Sequence, residues 1–341
     1  MAGRRKRRTP RRRRWGLRLF IFLLVVLGGA GGLAAFLLSP LPTGPDITFR
    51  IQHETPAKEV VADLAAKGVV RNVEATMLVA TIKDLASVET GTYRLHPGMD
   101  VRQVIAALRK PLKQDVMVPA GWWAARVGKR LEEKGVCSAK EYTEATKHPE
   151  KFQDVVTFPL PQDSLEGYLF PDTYDLPPLL GADEVVRRQL RAFEEKVVKP
   201  LGKKGLGRAL VIASMVELEA AKDSERPVIA GVIENRIAKG QKLEMDATVL
   251  YALQEWKVLG PGVVHTVKSP YNTYEHAGLP PGPIGSPGKA SIEAALKPAK
   301  HGYFFYVAKP DRSHTFSATY DEHLKAIKAA RTLWAEAKKK P

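Results

Sequence analysis

Cysteine is nearly absent: Cys137 is the single one in 341 residues, which excludes an internal disulfide framework and a thiolate-built metal site. The HExxH helix of zinc peptidases, the GKS/T phosphate loop and the GxSxG nucleophile elbow are also missing. His265, His276, His301, His314 and His323 are scattered without ligand spacing, so neither a metal nor a cofactor is expected. Acidic residues are missing from the first 18 positions, where ten of the 53 basic residues stand.

That tail matters because the formal charge is +16 and the pI near 9.7, values that suggest nucleic acid at first sight. Beyond residue 18, however, 43 basic residues face 37 acidic ones, a surplus of +6 over 323 residues. Immediately after the tail, Leu19 to Leu38 form twenty residues without a charge. As a helix this run spans a hydrocarbon core of about 30 Å. A cleaved signal peptide would have a shorter apolar region and a small-residue cleavage site. The sequence thus predicts a cytoplasmic basic tail (1–18), a single-pass anchor in the cell (inner) membrane (19–38) and an exported remainder, periplasmic or otherwise extracytoplasmic. The lipid bilayer is an expected partner and nucleic acid is not.

The exported part reads as α+β. Residues 39–46 (SPLPTGPD) form a Pro- and Gly-rich linker. A weak repeat then recurs at an offset of 67: ITFRIQ (47–52) with a helical stretch at 55–70, and DVMVPA (115–120) with WWAARVGKRLEEKGV (122–136). Val60 matches Val127, Leu64 matches Leu131, and Lys67-Gly68-Val69 matches Lys134-Gly135-Val136. Between the copies lie a helical stretch (73–86), a strand ending in a Pro-Gly turn (91–99) and a short helix (100–110). Residues 47–112 therefore make a small α+β unit suited to binding or positioning. Residues 113–335 make a larger mixed α+β domain, with connecting strand and helices over 113–205, a core over 206–335 and a last basic tail at 336–341.

The most informative stretch is RALVIASMVELEAA (208–221), apolar nearly all round except for Ser214, Glu217 and Glu219. A helix apolar on every face is buried, and buried glutamates are rare unless paired or used. Desolvation raises a carboxyl pKa, as a general acid requires. Two residues apart, Glu217 and Glu219 point in roughly opposite directions. One can enter a cleft while the other meets an arginine such as Arg226 or Arg236; the sequence does not rank them.

With these residues the chain resembles the MltG/YceG-like family of endolytic murein transglycosylases over about 47–330. The resemblance rests on LEGYLFPDTY (165–174), ASMVELEAAKDSERP (213–227), VIENR (232–236) and LEMDATVLYAL (243–253). It continues through SPYNTY (269–274), GLPPGPIGSPG (278–288), KPAK (297–300), YFFYVA (303–308) and HTF (314–316). It implies a LysM-like, glycan-contacting subdomain at 47–112 and a catalytic domain at 113–335. The implied reaction cuts the β-1,4 bond after N-acetylmuramic acid in glycan strands and leaves a 1,6-anhydro end. Glycan strands are then the substrate and peptidoglycan synthases the implied protein partners. By the same resemblance the second glutamate of the E-x-E segment, Glu219, is catalytic. Glu217, Glu166, Arg226, Asn235, Asp246, Thr248, Tyr271 and Asn272 are candidates for binding sugar or supporting the acid.

Four positions depart from the family pattern. Ala220 stands where Thr or Ser is common, Glu244 and Ala247 where Gln and Pro are usual, and Ala120 where a glutamate precedes Gly121. The Ala220 and Glu244 departures motivate an alternative, a catalytically weak or inactive peptidoglycan-binding scaffold of the same fold. A pyridoxal-phosphate lyase is disfavoured by export and by the lack of a Schiff-base lysine motif.

Overall fold

The computed structural model describes residues 12–260 and 262–338, so parts of both basic tails lie outside the described residues. The fold is mixed α+β, as the patterning predicts, with each strand pair forming its own two-stranded sheet. A helix runs Arg12–Leu37, and its Trp15–Leu37 stretch, 23 residues, is long and apolar enough to cross a bilayer. It begins before Leu19 because nothing between Arg12 and Leu19 breaks a helix.

The chain divides into two compact units, 1–112 and 113–341. In the first, strand Ile47–Ile51 pairs antiparallel with Gly91–Leu95, with Phe49 opposite Tyr93. Helices Ala57–Ala66, Val73–Ile82 and Val101–Leu108 pack against it through Val61, Leu64, Ala80, Leu95 and Val104, none more than 1% exposed. Asn72 caps the second of these helices by accepting the Ala75 N–H at 2.9 Å, and Asp100 with Gln103 forms a capping box on the third. The second helix stops short of the expected 86. Asp84 turns into the left-handed region (φ 52°), and Ser87–Val88 leaves to pair with Thr55–Pro56. Leu38 packs on this core, the Arg71 guanidinium lies 4.6 Å from the Phe36 ring centroid, and the Gly44 N–H donates to the Pro97 carbonyl at 3.3 Å.

The sequence repeat has a structural counterpart in its helix ends. Gly68 (φ 70°) follows helix Ala57–Ala66 and Gly135 (φ 69°) follows Ala124–Glu133. In both, the next valine donates its N–H back into the last turn, Val69 to Leu64 and Val136 to Leu131, each at 2.9 Å. This left-handed stop favours glycine, which has no Cβ to clash. Cys137 follows directly, and burial, reinforced by Glu141 and Glu132, pushes its thiol up to about 12.

In the second unit, helix Leu206–Glu219 is the hub: Leu206 and every residue from Ala209 to Val216 are buried. Around it stand helices Arg226–Ala238 and Lys289–Leu296. Strand Asp115–Met117 pairs with Thr173–Asp175, and the hairpin Phe305–Ala308/His314–Ser317 places Tyr306 opposite Phe316. Ser214, 0% exposed, donates its hydroxyl to the Val211 carbonyl (2.8 Å) and accepts the Ile284 N–H (3.0 Å), strapping the Pro/Gly-rich 278–288 segment to the hub.

The Arg226–Ala238 helix meets segment 299–301 through a glycine. A Cβ on Gly231 would lie 2.3 Å from the Ala299 carbonyl oxygen and 2.4 Å from His301 Nε2, which itself donates to the Val228 carbonyl at 2.9 Å. Gly231→Ala is therefore expected to destabilise by about 1–3 kcal/mol, the range for overpacking a tight contact. A urea melt showing an unchanged midpoint would refute this close approach.

Candidate active site

The hub helix ends at Glu219 because Ala220 turns extended (ψ 113°), which leaves Glu217 and Glu219 on its last turn, facing different surroundings. Glu217 Oε2 accepts the Gly288 N–H at 2.9 Å and the Ser291 hydroxyl at 2.7 Å. Its Oε1 lies 3.4 Å from Arg226, both side chains being nearly buried. Arg226 also donates to Ser291 Oγ (2.6 Å) and to Asp223 (2.8 Å). Asp223 thus meets this side chain and caps no helix, the cap of Arg226–Ala238 being Glu225. Gly288 is the cap residue of helix Lys289–Leu296, and a carboxylate at a helix N-terminus is favourably placed. Of the two arginines anticipated as partners, Arg226 meets Glu217. Arg236 instead donates to the main-chain carbonyls of Phe304, Lys242 and Leu243 and pairs with Glu244.

Glu219 is differently placed, half-buried beside the hairpin. Burial raises its pKa; the Tyr306 hydroxyl and the charge of His314 pull it back, and the charge of Asp246 pushes it further up. Asp246, exposed at the start of helix Asp246–Leu253, accepts the Tyr274 hydroxyl at 2.7 Å. His314 is fixed by Glu225: its main-chain N–H donates to Oε1 (2.9 Å) and its Nδ1 lies 2.7 Å from Oε2. The result is one protonatable carboxyl with a second carboxylate, two tyrosines and a histidine around it.

Glu166 is buried among other partners. It is 7% exposed, its Oε2 accepts the Ala124 N–H at 3.0 Å, and its Oε1 is buried without a hydrogen bond. Burial pushes its pKa up to about 7 against the lowering effect of the Ala124 and Gly167 main chain. Its charge bears on Tyr251 and Tyr271, whose rings pack at 4.8 Å.

Three of the anticipated residues have inward-facing partners. The Asn235 amide donates to the carbonyls of His301 and Tyr303, both at 2.9 Å, so it pins the chain leading to Tyr306. Thr248, 0% exposed, donates to the Met245 carbonyl and lies 2.9 Å from Thr273 Oγ1. Asn272, equally buried, donates to the Val264 and Val267 carbonyls and accepts the Tyr274 N–H, which shapes the loop carrying Tyr271 and Tyr274. Sequence reasoning did not single out Tyr306, His314, Glu225 and Tyr274, although YFFYVA, HTF, DSERP and SPYNTY contain them.

Among the departures, Ala120 has its Cβ 3.8 Å from where a Cβ on Gly288 would stand, and that point is 3.3 Å from Glu217 Oε2. A glutamate at 120 would set a second carboxylate beside Glu217. Ala220 is 7% exposed, and Glu244 occupies the left-handed region at φ 52°.

The profile of the YceG-like family matches residues 49–329, and the chain belongs to that family. The endolytic murein transglycosylase of Bacillus subtilis (strain 168) is 29% identical over 326 residues, 89% of this chain and 90% of that protein. That of Streptococcus pneumoniae (strain D39) is 26% identical over 345 residues, but these make up only 62% of its length. The crystal structure of a yceG-like protein from Listeria monocytogenes aligns with a TM-score of 0.55 at 28% identity, covering 82% of this chain and 99% of that one.

Proposed function

We propose that the protein is a membrane-anchored endolytic peptidoglycan transglycosylase. In this reading it cuts the MurNAc-β-1,4-GlcNAc bond within nascent strands, leaves 1,6-anhydro ends and limits strand elongation. The observation that carries it is the contrast between two glutamates on one helix turn: Glu217 engaged by Arg226, Gly288 and Ser291, Glu219 half-buried with a raised pKa. The names of the Bacillus and Streptococcus relatives support the same substrate.

Glu219, whose pKa is raised by burial, donates its proton to the leaving glycosidic oxygen. An ordinary glycosidase needs a second carboxylate to activate water or to form a covalent adduct. Here the C6 hydroxyl of the same muramic acid closes onto C1, and Glu219 accepts its proton, so the net change is an intramolecular transfer without water. Asp246 is placed to stabilise positive charge developing on the sugar ring. The Phe49, Arg50 and His53 face of the first unit, a cleft of about 310 Å³, is where a LysM-like contact with glycan would fall. In this reading the basic tail keeps the N-terminus in the cytoplasm and residues 39–341 outside; peptidoglycan synthases are the partners such a placement favours.

The test is product analysis with the full chain in detergent micelles and uncrosslinked glycan strands. Shortened strands with anhydro ends are expected. Reducing ends would make it a hydrolase, and co-sedimentation without shortening would make it a scaffold.

The neighbours of Glu219 give a signed pH prediction. An acid that must be protonated loses activity as pH rises through its pKa. Tyr306 lowers that pKa, so Tyr306→Phe should move the alkaline limb of kcat/KM to higher pH. Asp246 raises it, so Asp246→Asn should move the limb to lower pH. Shifts of equal sign in the two variants would contradict the assignment.

A further inference from the structure

Helix Ala124–Glu133 carries Arg126 and Arg130 one turn apart. The Arg126 guanidinium lies 4.1 Å from the Trp122 ring centroid and 5.9 Å from that of Trp256, and Arg130 lies 5.6 Å from Trp122. Among the described residues neither arginine has an ion-pair or side-chain hydrogen-bond partner, and Arg130 Nε is buried without one. Like charges at this spacing repel, and a single buried donor left unmade, as at Arg130 Nε, carries a desolvation cost. Two cations on one helix face without a carboxylate partner favour an anionic ligand.

The platform is built into the walls of the candidate site. Gly121 donates its N–H to the Ser286 carbonyl (2.8 Å), and Trp122 accepts the Ser286 N–H (3.0 Å), two residues before the Gly288 that holds Glu217. A Cβ on Gly121 would fall 2.9 Å from Leu218, the residue between the two glutamates. Trp123, behind the platform, meets Tyr251 edge-on at 6.2 Å, and Tyr251 packs on Tyr271. Trp256, 54% exposed, is the second indole near Arg126.

We propose that Arg126 and Arg130, held on the Trp122 ring, form a carboxylate-binding subsite that takes the peptide stem borne by muramic acid in the substrate strand. The proposal rests on the peptidoglycan reading given above. Stacking on indoles occupies the faces of the Arg126 guanidinium and leaves its in-plane N–H groups for a bidentate carboxylate. A free sugar hydroxyl would leave the two positive charges uncompensated, whereas stem peptides bring carboxylates.

The test uses the full chain in detergent micelles. Titrated with the free tetrapeptide stem, wild type should bind, and amidating the peptide's carboxylates or introducing Arg126→Gln with Arg130→Gln should weaken binding about tenfold. Arg126→Lys, which keeps the charge but not the planar fork, should fall between. With strands that carry stems the double variant should raise KM about tenfold with kcat within about twofold; on strands stripped of stems by an amidase it should match wild type. Equal tetrapeptide binding by wild type and the double variant, or an equal kcat loss on both strands, would overturn the subsite. Should wild type cleave neither strand, the transglycosylase reading fails while the peptide titration still decides this one.

Discussion

Glu219→Gln should reduce the formation of anhydro-ended products by about a thousandfold or more, within the range that a positioned acid/base supplies. The amide fills the same space and still accepts from Tyr306, but it cannot deliver a proton to the leaving oxygen or receive one from the C6 hydroxyl. Circular dichroism and thermal melts should be near wild type, because removing a carboxyl that burial already disfavours relieves rather than creates strain. Glu217→Gln should behave in the opposite way. It retains acceptors for Gly288 and Ser291 but loses the charge that faces Arg226. The expected result is a stability loss of about 1–3 kcal/mol with activity retained to within about tenfold. Product analysis by mass spectrometry separates the two, and a Glu217→Gln protein that is stable yet inactive would exchange their roles.

The second large effect concerns stability and pH at Glu166. Its pKa lies near 7 in the folded chain against about 4.3 for an unperturbed glutamate. The folded state therefore binds the proton more tightly. Its contribution is complete below about pH 4.3, declines as pH rises and is gone above about 7. Over that window the loss amounts to about 4 kcal/mol by linkage. Glu166→Gln mimics the protonated form with a permanent donor, so it should flatten this part of the profile and be more stable than wild type at pH 8. Urea melts at pH 5 and pH 8 on both proteins read the difference directly; parallel profiles would show that the carboxyl is not buried as described. Because Glu166 borders Tyr251 and Tyr271, the same variant tests whether a neutral acid there is needed for activity.

The architecture was legible where local chemistry decides it. An apolar run flanked by arginines, glycines two residues past helix ends, and a helix apolar on all faces each have one cheap solution. Which of Glu217 and Glu219 would meet the arginine was not, because it depends on chain far away in sequence. Gly288 and Ser291 reach Glu217 from 71 and 74 residues downstream, and Tyr306 and His314 come from a closing hairpin. Only Arg226, nine residues further along the chain, was within reach of a local argument. Asn235, Thr248 and Asn272 illustrate the other limit. Amides and hydroxyls in a turn-rich segment look alike whether they will meet a sugar or a main-chain carbonyl, and here the carbonyls and Thr273 engage them.

The fastening of the linker has a mechanical consequence. Residues 39–46, if free, would be a leash of about 28 Å, at about 3.5 Å per extended residue. With Leu38 on the core of the first unit, Phe36 against Arg71 and Gly44 tied to Pro97, almost no slack remains. If the Trp15–Leu37 helix spans a bilayer, that unit would travel as a raft on its face, searching in two dimensions and at a fixed height. Glycan would then be met where it emerges from the membrane rather than deep in the finished wall, and the height of the raft, not the affinity of any pocket, would set which strands come within range.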